Sequence, residues 1–138
     1  MSAALARRPE GGDPEVTKRR VLIVDDERTI AETLAECVGP DYRVELASDG
    51  TQALAAVRRE RPDVILLDVN MPGLTGVEVL QRVRAMDASI PVIMITATPD
   101  YGAVTEALAL GAFSYIPKPF SVKYVQNLVS AAVTGGRR

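Results

Sequence analysis

Five side chains with acid, hydroxyl or amine chemistry stand where apolar runs of this sequence end. Asp25 and Asp26 follow Val21-Leu22-Ile23-Val24, and Asp68 follows Val64-Ile65-Leu66-Leu67. Thr96 follows Val92-Ile93-Met94-Ile95, and Lys118 follows Tyr115-Ile116-Pro117. If the runs are strands of an open parallel α/β sheet, their carboxyl ends line one crevice and the five residues converge there. Three carboxylates, a hydroxyl and an ammonium suit Mg²⁺-assisted phosphoryl chemistry on an aspartate.

Each residue also has a plainer reading. One of Asp25 and Asp26 would cap the helix that follows while the other is solvated. Asp68 opens the turn-rich stretch Asp-Val-Asn-Met-Pro-Gly and would make an Asx-turn. Thr96 would cap a helix, and Lys118 would be a surface lysine. Their joint order along the chain favours the crevice. Carboxylates ~5 Å apart at an effective dielectric near 20 repel by roughly 3 kcal/mol per pair, so such a cluster needs a cation or a proton. Lys118 is flanked by Pro117 and Pro119, which stiffen its backbone and restrict where the ammonium reaches.

The elements that must position these groups alternate along the chain. Residues 1–19 read as a tail punctuated by Pro9, Gly11, Gly12 and Pro14. A buried strand over 21–24 leads to a helix over 27–38, stopped by Gly39-Pro40. An edge strand over 43–47, with Val44 and Leu46 alternating with charges, precedes a helix over 51–60. The strand 64–67, the loop 68–75 and a helix over 76–85 follow. Pro91 opens the next strand, a helix over 100–110 stops at Gly111, and a strand over 113–116 precedes a helix over 121–133. Residues 135–138 form a short C-terminal tail. The pattern is (βα)₅, a parallel sheet covered on both faces.

Composition narrows the function. The chain has 138 residues, 47% apolar and 25% charged, enough for one domain that buries roughly two-thirds of its unfolded surface. A formal charge of −2 and 4% aromatic residues offer neither a basic field nor a base-stacking platform, so direct nucleic-acid binding is not expected. The absence of histidine removes HExxH zinc sites, Ser-His-Asp triads and histidine bases. The lone Cys37 excludes an internal disulfide and is expected in the core. No apolar stretch is long enough to span a bilayer and no secretory signal is evident, so a cytoplasmic protein without membrane contact is expected.

The chain resembles the receiver domain of two-component response regulators over residues 20–134. The resemblance is carried by Val24-Asp25-Asp26-Glu27, Leu67-Asp68-Val69-Asn70-Met71-Pro72, Thr96-Ala97, Gly111-Ala112 and Tyr115-Ile116-Pro117-Lys118-Pro119-Phe120. It implies a flavodoxin-like doubly wound sheet with strand order 2-1-3-4-5. It implies that Asp68 accepts a phosphoryl group from a histidine kinase or phosphotransfer protein, with Mg²⁺ (or Mn²⁺) held by Asp25, Asp26, Asp68 and the backbone carbonyl of Asn70. Lys118 would bind the phosphoryl group through a cis Lys118–Pro119 segment, Thr96 and Tyr115 would switch, and Asn70 and Thr98 would tune the phosphoryl lifetime. The readout surface would be the last two helices and the last strand, with Ala103, Glu106, Ala107, Lys123 and Tyr124 as contacts for an unknown downstream protein.

Such a chain is no enzyme beyond self-catalysed transfer and hydrolysis at Asp68. It would be a monomer with phosphorylation-dependent dimerisation left open, and either a stand-alone receiver or a piece of a longer regulator. A degenerate receiver that binds partners without phosphorylation is one alternative. A phosphatase of the haloacid-dehalogenase kind is another, although Asn70 stands where those enzymes carry a second aspartate. No GxxxxGK[ST] or GxGxxG loop supports a nucleotide site.

Overall fold

Apolar β-branched runs separated by amphipathic helices build the expected alternation in the computed structural model, which describes residues 18–97 and 101–135. The strands are β1 (Arg19–Val24), β2 (Tyr42–Ala47), β3 (Val64–Asp68), β4 (Val92–Thr96) and β5 (Ser114–Pro117). The helices are α1 (Arg28–Val38), α2 (Gly50–Arg59), α3 (Gly76–Met86), α4 (Tyr101–Ala109) and α5 (Val122–Gly135). All four pairings are parallel and the order is β2-β1-β3-β4-β5, as expected, with β2 at an edge.

Successive strand residues face opposite sides of the sheet, which splits the core into two layers. Leu22, Val24, Ile65, Leu67, Val92 and Met94 pack with Leu54, Val57, Val79, Leu80 and Val83 of α2 and α3. Val21, Ile23, Leu66, Ile93 and Ile95 pack with Leu34 and Cys37 of α1 and Val125 and Val129 of α5. The central strands β3 and β4 are buried throughout, which explains why their sequence is continuously apolar rather than alternating. Cys37 is buried, as expected.

Element boundaries shift by a residue or two, and both ends of the domain differ from expectation. The sheet begins at Arg19, inside the expected tail, because Arg19 and Arg20 pair with Tyr42 and Arg43. Helix α5 runs to Gly135, one residue into the expected C-terminal tail, and Gly135 lies against the ring of Phe113. The rest of both tails, residues 1–17 and 136–138, lies outside the described residues.

The unexpected residue is Arg20. It is 3% exposed, although arginine is rarely buried. Its guanidinium donates to Glu45 at 2.5 Å and to the carbonyls of Ala56 and Glu60 at 3.2 and 3.1 Å. Arg59 reaches the other oxygen of Glu45, and Arg43 pairs with Glu60. Burial works against the charged form of Glu45, yet the bonds from Arg59 and Arg20 hold its pKa below the usual value. This ladder fastens the last turn of α2 to β1 and β2 at the end of the sheet opposite Asp68.

Replacing Arg20 by Ala leaves these acceptors short of a partner and should cost about 3 kcal/mol in urea unfolding. Replacing Arg28 by Ala breaks only the exposed pair with Glu32 and should cost less than about 0.5 kcal/mol. Equal losses in the two variants would show that the ladder is not a fastening.

Candidate metal and phosphoryl site

The parallel register brings the strand ends level. Asp68 pairs with Ile95, Thr96 pairs with Pro117, and Val24 pairs with Leu67, so Asp25, Asp68, Thr96 and Lys118 share one edge of the sheet. Asp25 and Asp68 are buried and Asp26 is exposed. One carboxylate oxygen from each of the three lies within 4.8 Å of the others. Oxygen-only donors at this spacing match the preference of a small hard cation, so the residues fit Mg²⁺.

Lys118 enters from β5. Its Nζ lies 3.4 Å from Oδ2 of Asp25 and 3.9 Å from Oδ1 of Asp68. Its backbone is held by a 2.7 Å bond from its N–H to the carbonyl of Thr96, and the Lys118–Pro119 bond is cis, as the resemblance implied. Thr96 is buried at the end of β4.

The plainer readings hold in part. Oδ1 of Asp68 does accept the N–H of Asn70, at 3.3 Å, and Oδ1 of Asp25 accepts the N–H of Glu27, at 2.9 Å. In Asp25 the turn uses Oδ1 and leaves Oδ2 to Lys118, whereas in Asp68 the same Oδ1 serves the turn and faces Lys118. Neither aspartate caps α1, whose N-cap residue is Glu27. Thr96 is the last residue of β4.

The electrostatics single out Asp68. Its pKa is pushed up to about 6, first by burial and next by the negative charge of Asp25, with Asp26 adding a little. The Lys118 ammonium and the Asn70 N–H oppose the rise without cancelling it. One ammonium does not neutralise three carboxylates, and the imbalance falls on Asp68.

A glycine makes the site possible. The N-terminus of α3 crosses so close to the end of β3 that a Cβ on Gly76 would lie 2.3 Å from the carbonyl oxygen of Asp68. The N–H of Gly76 bonds the carbonyl of Val69 at 3.0 Å. Thr75 and Glu78 close a capping box over the same turn, which fixes the loop after Asp68. Gly76 is not among the expected site residues, and Thr75-Gly76-Val77-Glu78 is the sequence signal that marks it.

Tyr115 is half-buried, and with Thr96, Ala97, Tyr101, Val104, Pro117 and Lys118 it lines a cavity of about 130 Å³ beside the site. On the expected readout face Glu106, Lys123 and Tyr124 are exposed and Ala103 is half-buried. Ala107 is a correction. It is 0% exposed and packs in the core against α3, because it falls on the inward stripe of α4 with Val104. Thr98 lies outside the described residues.

Fold and crevice together define the class: a CheY-like α/β domain with an acidic cleft at the carboxyl edge of its sheet. The chain belongs to the response regulator receiver domain family, whose model matches residues 21–130. It is 42% identical over 118 residues to the DNA-binding response regulator MtrA of Mycobacterium tuberculosis, covering 85% of this chain and 51% of MtrA. It is 44% identical over 120 residues to the probable transcriptional regulator ycf27 of Guillardia theta, covering 85% and 46%. The chain thus spans about half the length of the curated relatives it matches. A CheY-like receiver from Methanospirillum hungatei superposes with TM-score 0.81 at 25% identity, covering 87% of this chain and 97% of that one. A putative response regulator from Chloroflexus aurantiacus gives TM-score 0.80 at 32% identity, covering 86% and 99%.

The raised pKa of Asp68 carries a sign. Between pH ~4 and ~6 the folded chain binds a proton at Asp68 that the unfolded chain releases, so this group's contribution to stability falls as pH rises through that window. In EDTA, Asp68→Asn should therefore unfold at higher urea than the parent chain at pH 7.5, and the two should converge below pH ~4. Identical midpoints at pH 7.5 would contradict the shift. Gly76→Ala should destabilise by about 1–3 kcal/mol in the same assay through the close approach to Asp68.

Proposed function

We propose that this receiver accepts a phosphoryl group on Asp68 and thereby changes its affinity for a partner protein. The observation that carries the reading is a buried aspartate grouped with two other carboxylates within 4.8 Å and facing a fixed lysine. An oxygen of ionised Asp68 attacks phosphorus of a phosphohistidine. The P–O bond forms as the P–N bond breaks, and the electron pair leaves on the imidazole nitrogen, which takes up a proton. The chain has no histidine, so a separate histidine kinase or phosphotransfer protein supplies the donor.

Asp25, Asp26, Asp68 and the Asn70 carbonyl would hold Mg²⁺ (or Mn²⁺), which when bound offsets negative charge on carboxylates and phosphoryl oxygens. Lys118 already sits between Asp25 and Asp68 and places its charge beside the incoming group. The Thr96 hydroxyl donates to a phosphoryl oxygen, and the Tyr115 ring moves into the cavity that Thr96 borders. Asn70 and Thr98 set how long the phosphoryl group lasts. Neither is an acid or base, which suits moderate to slow self-hydrolysis.

The folded elements from Arg19 to Gly135 act as one unit. The changed surface is α4, β5 and α5, where Glu106, Lys123 and Tyr124 meet a downstream protein. It binds no nucleic acid directly. Among the described residues no helix is long and apolar enough to cross a membrane, which agrees with a cytoplasmic site of action.

Incubation with acetyl phosphate should add one phosphoryl group by intact mass only when Mg²⁺ is present, and Asp68→Asn should abolish it. Lys118→Ala should slow the addition by on the order of a hundredfold, the usual loss when one positioned charge-stabilising donor is removed. Phosphorylation of Asp68→Asn at the parent rate would place the acceptor elsewhere.

A further inference from the structure

The cavity beside Thr96 has two aromatic walls, and only one of them belongs to the switch proposed above. Tyr115 stands on β5 and Tyr101 is the first residue of α4. Tyr101 is 71% exposed, the most exposed of the large apolar side chains among the described residues, although Val104, one turn further along α4 on the same cavity, is 6% exposed. The remaining walls, Ala97 and Pro117, are apolar, and Thr96 and Lys118 bring the site chemistry to the rim. About 130 Å³ holds roughly four waters at liquid density. With so apolar a lining those waters have few partners, so an aromatic ring is the better occupant.

Building on the switch reading, we infer that Tyr101 is a positioning residue that sets how far the switch goes. A Tyr115 ring entering the cavity meets Tyr101 on the side away from Thr96 and packs against it. In the resting state the Tyr115 ring packs on the core cluster that includes Met94 and Ala107, and turning inward brings it closer against Tyr101. The closer contact therefore favours the inward state over the resting one. Aromatic pairs prefer offset or edge-to-face contact, which an exposed ring at a helix start can adjust to make. Tyr101 touches neither the acidic cluster nor the phosphoryl position, so its effect is exerted through Tyr115. By linkage, whatever favours the inward ring tightens phosphoryl-group binding by the same factor.

The test uses the whole chain labelled with fluorotyrosine. Its four tyrosines are assigned by single Tyr→Phe variants. ¹⁹F spectra are taken with Mg²⁺, before and after beryllofluoride is added as a phosphoryl mimic. The Tyr115 signal should shift in the parent chain. In Tyr101→Ala the inward population should fall about two- to tenfold, the range for loss of one aromatic pair, and beryllofluoride affinity should weaken by the same factor. Tyr101→Phe keeps the ring and should behave as the parent. A Tyr115 shift of equal size in Tyr101→Ala overturns the proposal and leaves the switch reading standing. A Tyr115 signal that stays put in the parent chain, although an Asp68-dependent adduct forms, overturns the switch reading and this inference with it.

Discussion

The structure is organised around an unfavourable interaction: three carboxylates held within 4.8 Å of one another, two of them buried. Each pair costs a few kcal/mol at an effective protein dielectric, and Lys118 offsets only part of that sum. The chain tolerates the cost because the groups sit at the ends of strands whose interiors are wholly apolar. Burial first, and the residual repulsion from Asp25 next, raise the pKa of Asp68 to about 6. The same repulsion makes the crevice receptive to a hard cation.

Rigid surroundings keep that arrangement from relaxing. The strand ends are tied by the parallel ladders, the loop after Asp68 by the Thr75–Glu78 capping box, and Lys118 by its N–H bond to Thr96. At the opposite end of the sheet the Arg59–Glu45–Arg20–Glu60–Arg43 ladder fastens β1, β2 and α2. Charges there alternate in sign and pair with one another. Charges at the crevice share a sign and do not. Paired charges are thus concentrated at one pole and like charges at the other, with the apolar sheet between them.

Much of the fold was legible because its signals are local. Fully apolar four-residue runs mark strands buried on both faces, and Gly39 and Gly111 mark helix ends through positive φ, which glycine adopts without penalty. The aspartates were legible because strand ends must converge in a parallel sheet. Arg20 was not, since an arginine before an apolar run looks the same whether it is solvated or buried. Its burial depends on Glu45 and on two carbonyls of α2, none near it in sequence. Ala107 was misplaced on the surface because alanine is compatible with either face of α4, and only the packing of α4 against the sheet decides.

By itself the sequence determined the alternation of strand and helix, the five chemistry-bearing residues and their order, since these follow from hydrophobic periodicity and from residue type. Tertiary structure decided the quantities: which oxygen of each aspartate is spent on a turn, how near Lys118 comes to each carboxylate, and how far burial shifts Asp68. It also decided that Gly76 must lack a side chain and that Tyr101 and Tyr115 share one cavity. Distances of a few ångströms between residues tens of positions apart set these outcomes. Local pattern carries no record of them, because Coulomb energy and steric contact depend on separation in space and not along the chain.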